Sequence, residues 1–221
     1  MPKINKDSTL NITFVGIGLC LLCSAIISFI AIQLRSVQEN NVVLDMQKKI
    51  VSSAGLDEVY GSVENAMSNI KTLIIDLDRG EIVDINPDTY ELSKELREDG
   101  KYKFLSAEED VASIKKREKY SKVYIEYKDN EINTLILPVR GYGLWGILYG
   151  YLAIEGDFNT VAGLEFYEHK ETPGLGAEID NPKWKALWKG KKIYQENGEV
   201  SLKVIKGSVM KTSDNFSYEI D

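Results

Sequence analysis

The chain has 221 residues, 43% hydrophobic and 28% charged, with a net charge of −7. That is enough for one membrane anchor and one domain with its own core. Lys3, Lys6 and Arg35 outweigh Asp7 in the first 35 residues, so the rest is strongly acidic, which argues against nucleic-acid binding. The two cysteines, Cys20 and Cys23, both lie in the apolar N-terminal run and read as small apolar side chains at lipid depth.

No charged residue occurs between Ser8 and Leu34. Residues 12–32 as a helix span roughly 30 Å at ~1.5 Å per residue, one hydrocarbon core. No small-x-small cleavage site follows in Gln33-Leu34-Arg35-Ser36-Val37, so the run reads as a retained, single transmembrane helix in contact with lipid. The flanking basic residues slightly favour a cytoplasmic N-terminus.

Residues 36–55 carry Val37, Leu44 and Val51 every seventh position and read as a helical stalk that continues outward. A second helical pattern covers 57–71, with Val59, Val63, Met67 and Ile70 on one face. The period then changes to two. Strands are expected at 72–77 and 81–85 around Asp78-Arg79-Gly80, and a polar helix at 89–98. Ser106 and Glu109 form a capping box that predicts a helix to about Tyr120, with Lys115-Lys116-Arg117-Glu118-Lys119 as its solvated face. Beyond it the pattern is mostly strands: 123–127 and 132–139 around Asp129-Asn130, then 147–155 and 161–167 around Gly156-Asp157-Phe158-Asn159. The fold class is therefore α+β: a transmembrane helix, then an antiparallel sheet with packed helices.

Two glycine-rich loops stand out. Arg140-Gly141-Tyr142-Gly143-Leu144-Trp145-Gly146 joins two strands; it is either a ligand-covering loop or a strand bend with a core tryptophan. Glu171-Thr172-Pro173-Gly174-Leu175-Gly176 follows the last strand and is either a loop that wraps a flat ligand or a tight structural turn. Trp184, Leu187 and Trp188 share one face of a short helix and read as core. His169 is the only histidine, no cysteine lies outside the anchor and no loop has cation-ligand spacing, so no metal site is expected. The absence of a G-x-S-x-G elbow argues against a serine hydrolase, and no catalytic residue can be assigned.

In order, Leu137-Pro138-Val139, Gly141-Tyr142-Gly143-Leu144-Trp145, Gly163-Leu164, Tyr167-Glu168, Glu171 to Gly176, Trp184, Trp188, Gly190-Lys191-Lys192 and Val204-Ile205-Lys206-Gly207 resemble the C subunit (NqrC) of the sodium-translocating NADH:quinone reductases. The G subunit of the Rnf-type electron-transport complex shares the second loop; the Gly-Leu-Trp block and the tryptophan pair look more like the sodium pump. A non-redox, membrane-anchored binding module is the different-class alternative.

The resemblance implies an FMN-carrying electron relay in the bacterial cytoplasmic membrane, with other pump subunits and a flavin transferase as partners. It implies a soluble domain on the periplasmic side. The corresponding division is anchor 1–35, stalk 36–71 and FMN-carrier domain 72–221. It also implies a pocket for the flavin ring lined by Gly141, Gly143, Leu144, Trp145, Thr172, Pro173, Gly174, Leu175 and Gly176. In the family FMN is esterified to a threonine of a Ser-Gly-Ala-Thr motif. That motif does not occur in this sequence, and neither Thr172 nor Thr212 matches it. The expectation is a copy that stops short of the motif.

Overall fold

The computed structural model describes residues 8–210 and 212–221. Lys3, Lys6 and Asp7, on which the expected orientation rests, lie outside the described residues. The chain divides into two compact units, one ending at Asp45 and the other Met46–Asp221.

A single helix, α1 (Thr9–Ser53), contains the apolar run and is long and apolar enough to cross a membrane. The side chains of its membrane-length window are exposed in the isolated chain, as a lipid-facing segment requires. Within the second unit, α1 ends with Ile50, Val51 and Ser53 buried. The pattern read as one helix over 57–71 is instead two short helices, α2 (Leu56–Tyr60) and α3 (Val63–Ser68). Gly61 separates them at φ 73°, a conformation that ends a helix, and Ser62 caps α3 by accepting from the Asn65 amide. Ile70 already belongs to the first strand.

Six strands form one antiparallel sheet: β1 (Ile70–Asp76), β2 (Glu81–Val83), β5 (Tyr120–Lys128), β6 (Glu131–Tyr142), β7 (Ile147–Glu155) and β8 (Val161–Glu168). Their order across the sheet is β2-β1-β5-β6-β7-β8. The β1–β2 turn is pinned by Asp76, whose carboxylate accepts from the Asp78 and Arg79 amides, while Gly80 takes φ 69°. The two-residue β5–β6 turn places Asp129 and Asn130 at φ 54° and 66°, the pair of left-handed residues a tight hairpin requires.

The 89–98 helix is only α4 (Leu92–Glu95). The helix expected after Ser106 is absent. The capping box itself forms, with the Glu109 amide on Ser106 Oγ at 3.3 Å and the Ser106 amide on Glu109 Oε2 at 3.0 Å. The next turn does not propagate, because the Asp110 carboxylate accepts from the Ile114 and Lys115 amides and Ser113 and Lys115 adopt positive φ. The charged run is β4 (Lys116–Glu118), paired with β3 (Tyr102–Phe104) rather than lying on a solvated helix. Arg117 pairs with Asp78, and Glu118 pairs with Arg140 at 2.6 Å in a mostly buried contact.

One face of the sheet carries the main core. Ile136, Tyr151 and Ala153 pack with Ile50, Val51, Leu56, Ala66 and Ile70. Tyr124, Tyr151, Tyr167 and Tyr149 continue this face as a column, with successive ring centroids 5.8, 4.9 and 6.0 Å apart. Burial pushes the Tyr124 phenol up to about 12 and raises those of Tyr151 and Tyr167 as well. Near the C-terminus, β9 (Lys203–Val204) and β10 (Glu219–Ile220) pair in parallel.

Candidate functional site

Strands β6 and β7 are joined by Gly143-Leu144-Trp145-Gly146, a turn closed by the Gly143 amide donating to the Gly146 carbonyl at 2.7 Å. Gly141 and Tyr142 are thus the end of β6 and not loop. After β8 the chain turns at Thr172-Pro173-Gly174-Leu175. The Thr172 carbonyl accepts from both Leu175 and Ala177 amides at 3.1 Å, and Gly174 takes φ 74°. A short 3-10 turn (Gly176–Asp180) and the helix α5 (Pro182–Ala186) follow.

The two loops meet on one side chain. Glu171 is only 9% exposed, and its Oε1 accepts from the Trp145 amide at 3.0 Å. A Cβ built on Gly143 would lie 2.5 Å from Oε1, and one built on Gly176 would lie 2.5 Å from Oε2. Glycine at both positions is what lets the carboxylate sit between the loops. The Glu171 amide donates to His169 Nδ1 at 3.2 Å, and His169 Nε2 lies 2.7 Å from Asp180 Oδ2.

The loop tips are apolar and face solvent. Leu144 is 77% exposed, Trp145 63% and Leu175 73%. Trp145 is therefore not a core residue. Behind the loops, the second face of the sheet forms an apolar groove of about 320 Å³, lined by Val139, Gly141, Leu148, Leu152, Leu164, Phe166 and Trp188, with Arg140 at its edge. The register explains the lining, since Gly141 pairs with Leu148, Val139 with Gly150, Gly150 with Phe166, and Leu152 with Leu164, all on one face of the pleat. Leu148 joins groove to loop: its Cδ2 lies 3.1 Å from where a Gly143 Cβ would be. The Trp188 indole Nε1 is buried with no hydrogen-bond partner. A second hollow of about 420 Å³ lies against Leu175, Gly176, Ile179 and Trp184. Trp184 and Trp188 meet edge to face at 5.6 Å and are half-buried, so the pair flanks these hollows instead of filling a core.

Of the residues singled out in the sequence, Gly143, Trp145 and Gly176 are gathered by Glu171. Leu144 and Leu175 stand at the tips, Thr172 holds its turn through its carbonyl, and Pro173 and Gly174 form that turn's outer corner. Gly141 lies on the groove side instead. Sequence reasoning left Glu171 open between orienting the second loop and being merely solvated, and overlooked Leu148, Leu152, Leu164 and Phe166. The signal for these four was the alternation in 147–155 and 161–167, whose two faces could not be told apart without the topology.

Residues 143–221 match the family model described as the FMN-binding domain, which takes in both loops. Over 222 residues the chain is 44% identical to the C subunit of the Na(+)-translocating NADH-quinone reductase of Pseudomonas aeruginosa, covering 98% of this chain and 85% of that protein. The chain belongs to the NqrC family, the C subunits of the Na(+)-translocating NADH-quinone reductases. The corresponding protein of Vibrio anguillarum is 40% identical, with 96% of this chain and 83% of that protein covered. The crystal structure of Shewanella oneidensis NqrC superposes with a TM-score of 0.70 at 28% identity, covering 80% of this chain and 81% of that one. These findings bear out the resemblance read from the ordered motifs and the α+β architecture expected with it.

Proposed function

We propose that this NqrC-family chain holds FMN between the 143–146 and 172–176 loops and relays electrons from NADH toward quinone as one subunit of a sodium-exporting, membrane-bound reductase. The observation that carries the site assignment is the pair of loops brought together on Glu171 within the segment that matches the FMN-binding domain. The donor set fits such a group. Exposed Leu144, Trp145 and Leu175 offer apolar cover for a flat ring, and Trp188 supplies a buried N–H without an acceptor.

FMN, when bound, supplies the capacity to accept and give up electrons singly. The chain's residues position and shield it. Leu144, Trp145 and Leu175 exclude water, while Thr172, Pro173 and Gly174 fix the second loop's path. Gly141 leaves room on the groove side at the end of β6. The working division is anchor 1–35, helical segment 36–71 and flavin-carrier domain 72–221. The other subunits of the reductase are its partners in the membrane. A flavin transferase that loads FMN and the surrounding lipid complete the set. The carrier domain lies on the periplasmic side, so protease added to spheroplasts should digest the acidic part after residue 36. Protection of that part would reverse the orientation.

Gly174→Val tests the pocket. Its Cβ would meet nothing within 4 Å, so the cost comes from the backbone alone, which a β-branched residue resists at φ 74°. Titration of FMN followed by flavin fluorescence should show binding weakened about tenfold, about 1.4 kcal/mol. An unchanged affinity, in a variant with an unchanged melting temperature, would remove the 172–176 loop from the pocket.

A further inference from the structure

We propose that Glu171 is a positioning residue of the flavin site. Its buried carboxylate clasps the two glycine loops and fixes the gap between them, and the Asp180–His169 pair fixes Glu171 in turn. This rests on the reading that those loops hold FMN.

The clasp joins segments 26 residues apart. An ionised carboxylate accepting a backbone N–H in a water-poor site makes a strong hydrogen bond. Its two oxygens occupy different places. Oε1 serves the Trp145 amide and abuts Gly143, while Oε2 abuts Gly176. One rigid planar group therefore sets the position of both loops. The main chain of Glu171 is held as well. An amide nitrogen can only donate, so His169 Nδ1 is the acceptor. The ring proton then sits on Nε2, which donates a hydrogen bond to Asp180 Oδ2.

The clasp has a second consequence. A fixed negative charge beside a bound redox group disfavours the addition of an electron to it. Glu171 thus holds the loops in register and lowers the potential of what lies between them. Removing the charge while keeping the shape separates the two effects.

Hydrogen exchange on the flavin-free chain reads the clasp alone. Glu171→Ala should speed exchange of the 143–146 amides about tenfold or more, and Glu171→Gln, which keeps an acceptor oxygen, should speed it less. On the FMN-loaded chain, Glu171→Gln should raise the flavin midpoint potential, and Glu171→Ala should reduce its visible circular dichroism. If Glu171→Ala fails to fold, Glu171→Gln carries both readouts. Unchanged exchange at 143–146 overturns the clasp. Trp145→Ala and Leu175→Ala separate this idea from the pocket itself. If they alter the flavin spectrum and the Glu171 variants do not, the clasp is overturned and the pocket stands. If exchange responds but no variant alters the spectrum, the flavin sits elsewhere and both readings fall.

Discussion

Gly163→Ala should weaken the second unit more than a single added methyl usually does. Gly163 lies in β8 opposite Ala153 of β7, and the end of α1 packs onto it. A Cβ at 163 would overlap the carbonyl oxygen of Ser53, a buried residue whose hydroxyl is already engaged by the Ile50 carbonyl. Backbone cannot swing aside as a side chain can, so the helix end must lift from the sheet. Overpacking of this kind costs about 1–3 kcal/mol, occasionally more, in a fold only about 5–15 kcal/mol stable. Gly146→Ala is the matching control, because the atoms nearest its Cβ would be those of the Lys170 side chain, which can give way. Thermal unfolding followed by circular dichroism should place the 163 variant several degrees below the control. Equal melting temperatures would mean that α1 does not bear on β8 as described.

The elements legible in the sequence were those set by local chemistry. The apolar run of α1, the alternation of β5 to β8 and the Asp129-Asn130 turn depend on neighbours in the chain, and each appeared where expected. Segments decided by distant partners were misread. The Ser106–Glu109 box formed but led into a strand, because β4 pairs back onto β3 and meets Asp78 and Arg140, both remote in sequence. The 57–71 pattern had a helical period, yet Gly61 interrupts it and Ile70 is recruited by β5, where it pairs with Glu126.

The site shows the same division. Both loops were visible from their glycines, since glycine marks close approach whatever the partner is. What approaches them was hidden. Glu171 is one of 34 acidic residues, and nothing in its neighbours distinguishes a buried carboxylate from a solvated one. The available clue was indirect: glycines at 143 and 176 need something bulky close by, and Glu171 ends β8's exit only one strand away from the first loop. Trp145 stayed open between a core residue and cover for a ligand for a related reason. One exposed tryptophan means little, but with Leu144 and Leu175 also exposed the loops present an apolar patch of the kind that marks a binding site.

Gly143→Ala should disturb the site through Glu171, and a double-mutant cycle can show it. The new methyl would sit 2.5 Å from Oε1 and 3.1 Å from Leu148 Cδ2. The carboxylate is the end of a side chain, so it yields first and leaves the Trp145 amide without its acceptor. A buried unsatisfied donor costs about 1–3 kcal/mol, and this part-buried one lies toward the lower end. With Glu171→Ala already present, that donor is orphaned beforehand and the methyl enters vacated space. Only the tighter fit against Leu148 remains. The double variant should therefore be less destabilised than the two single variants added together, by about 0.5–3 kcal/mol of coupling. Gly176→Ala should couple to Glu171→Ala in the same sense, because its Cβ would meet Oε2 at 2.5 Å and the Glu171 Cβ at 3.0 Å. Urea unfolding of the four chains in each cycle measures the coupling, and the visible circular dichroism of bound FMN should follow the same ranking. Additivity within about 0.3–0.5 kcal/mol in both cycles would mean that the glycines and the carboxylate act independently, and that some other contact holds the two loops together.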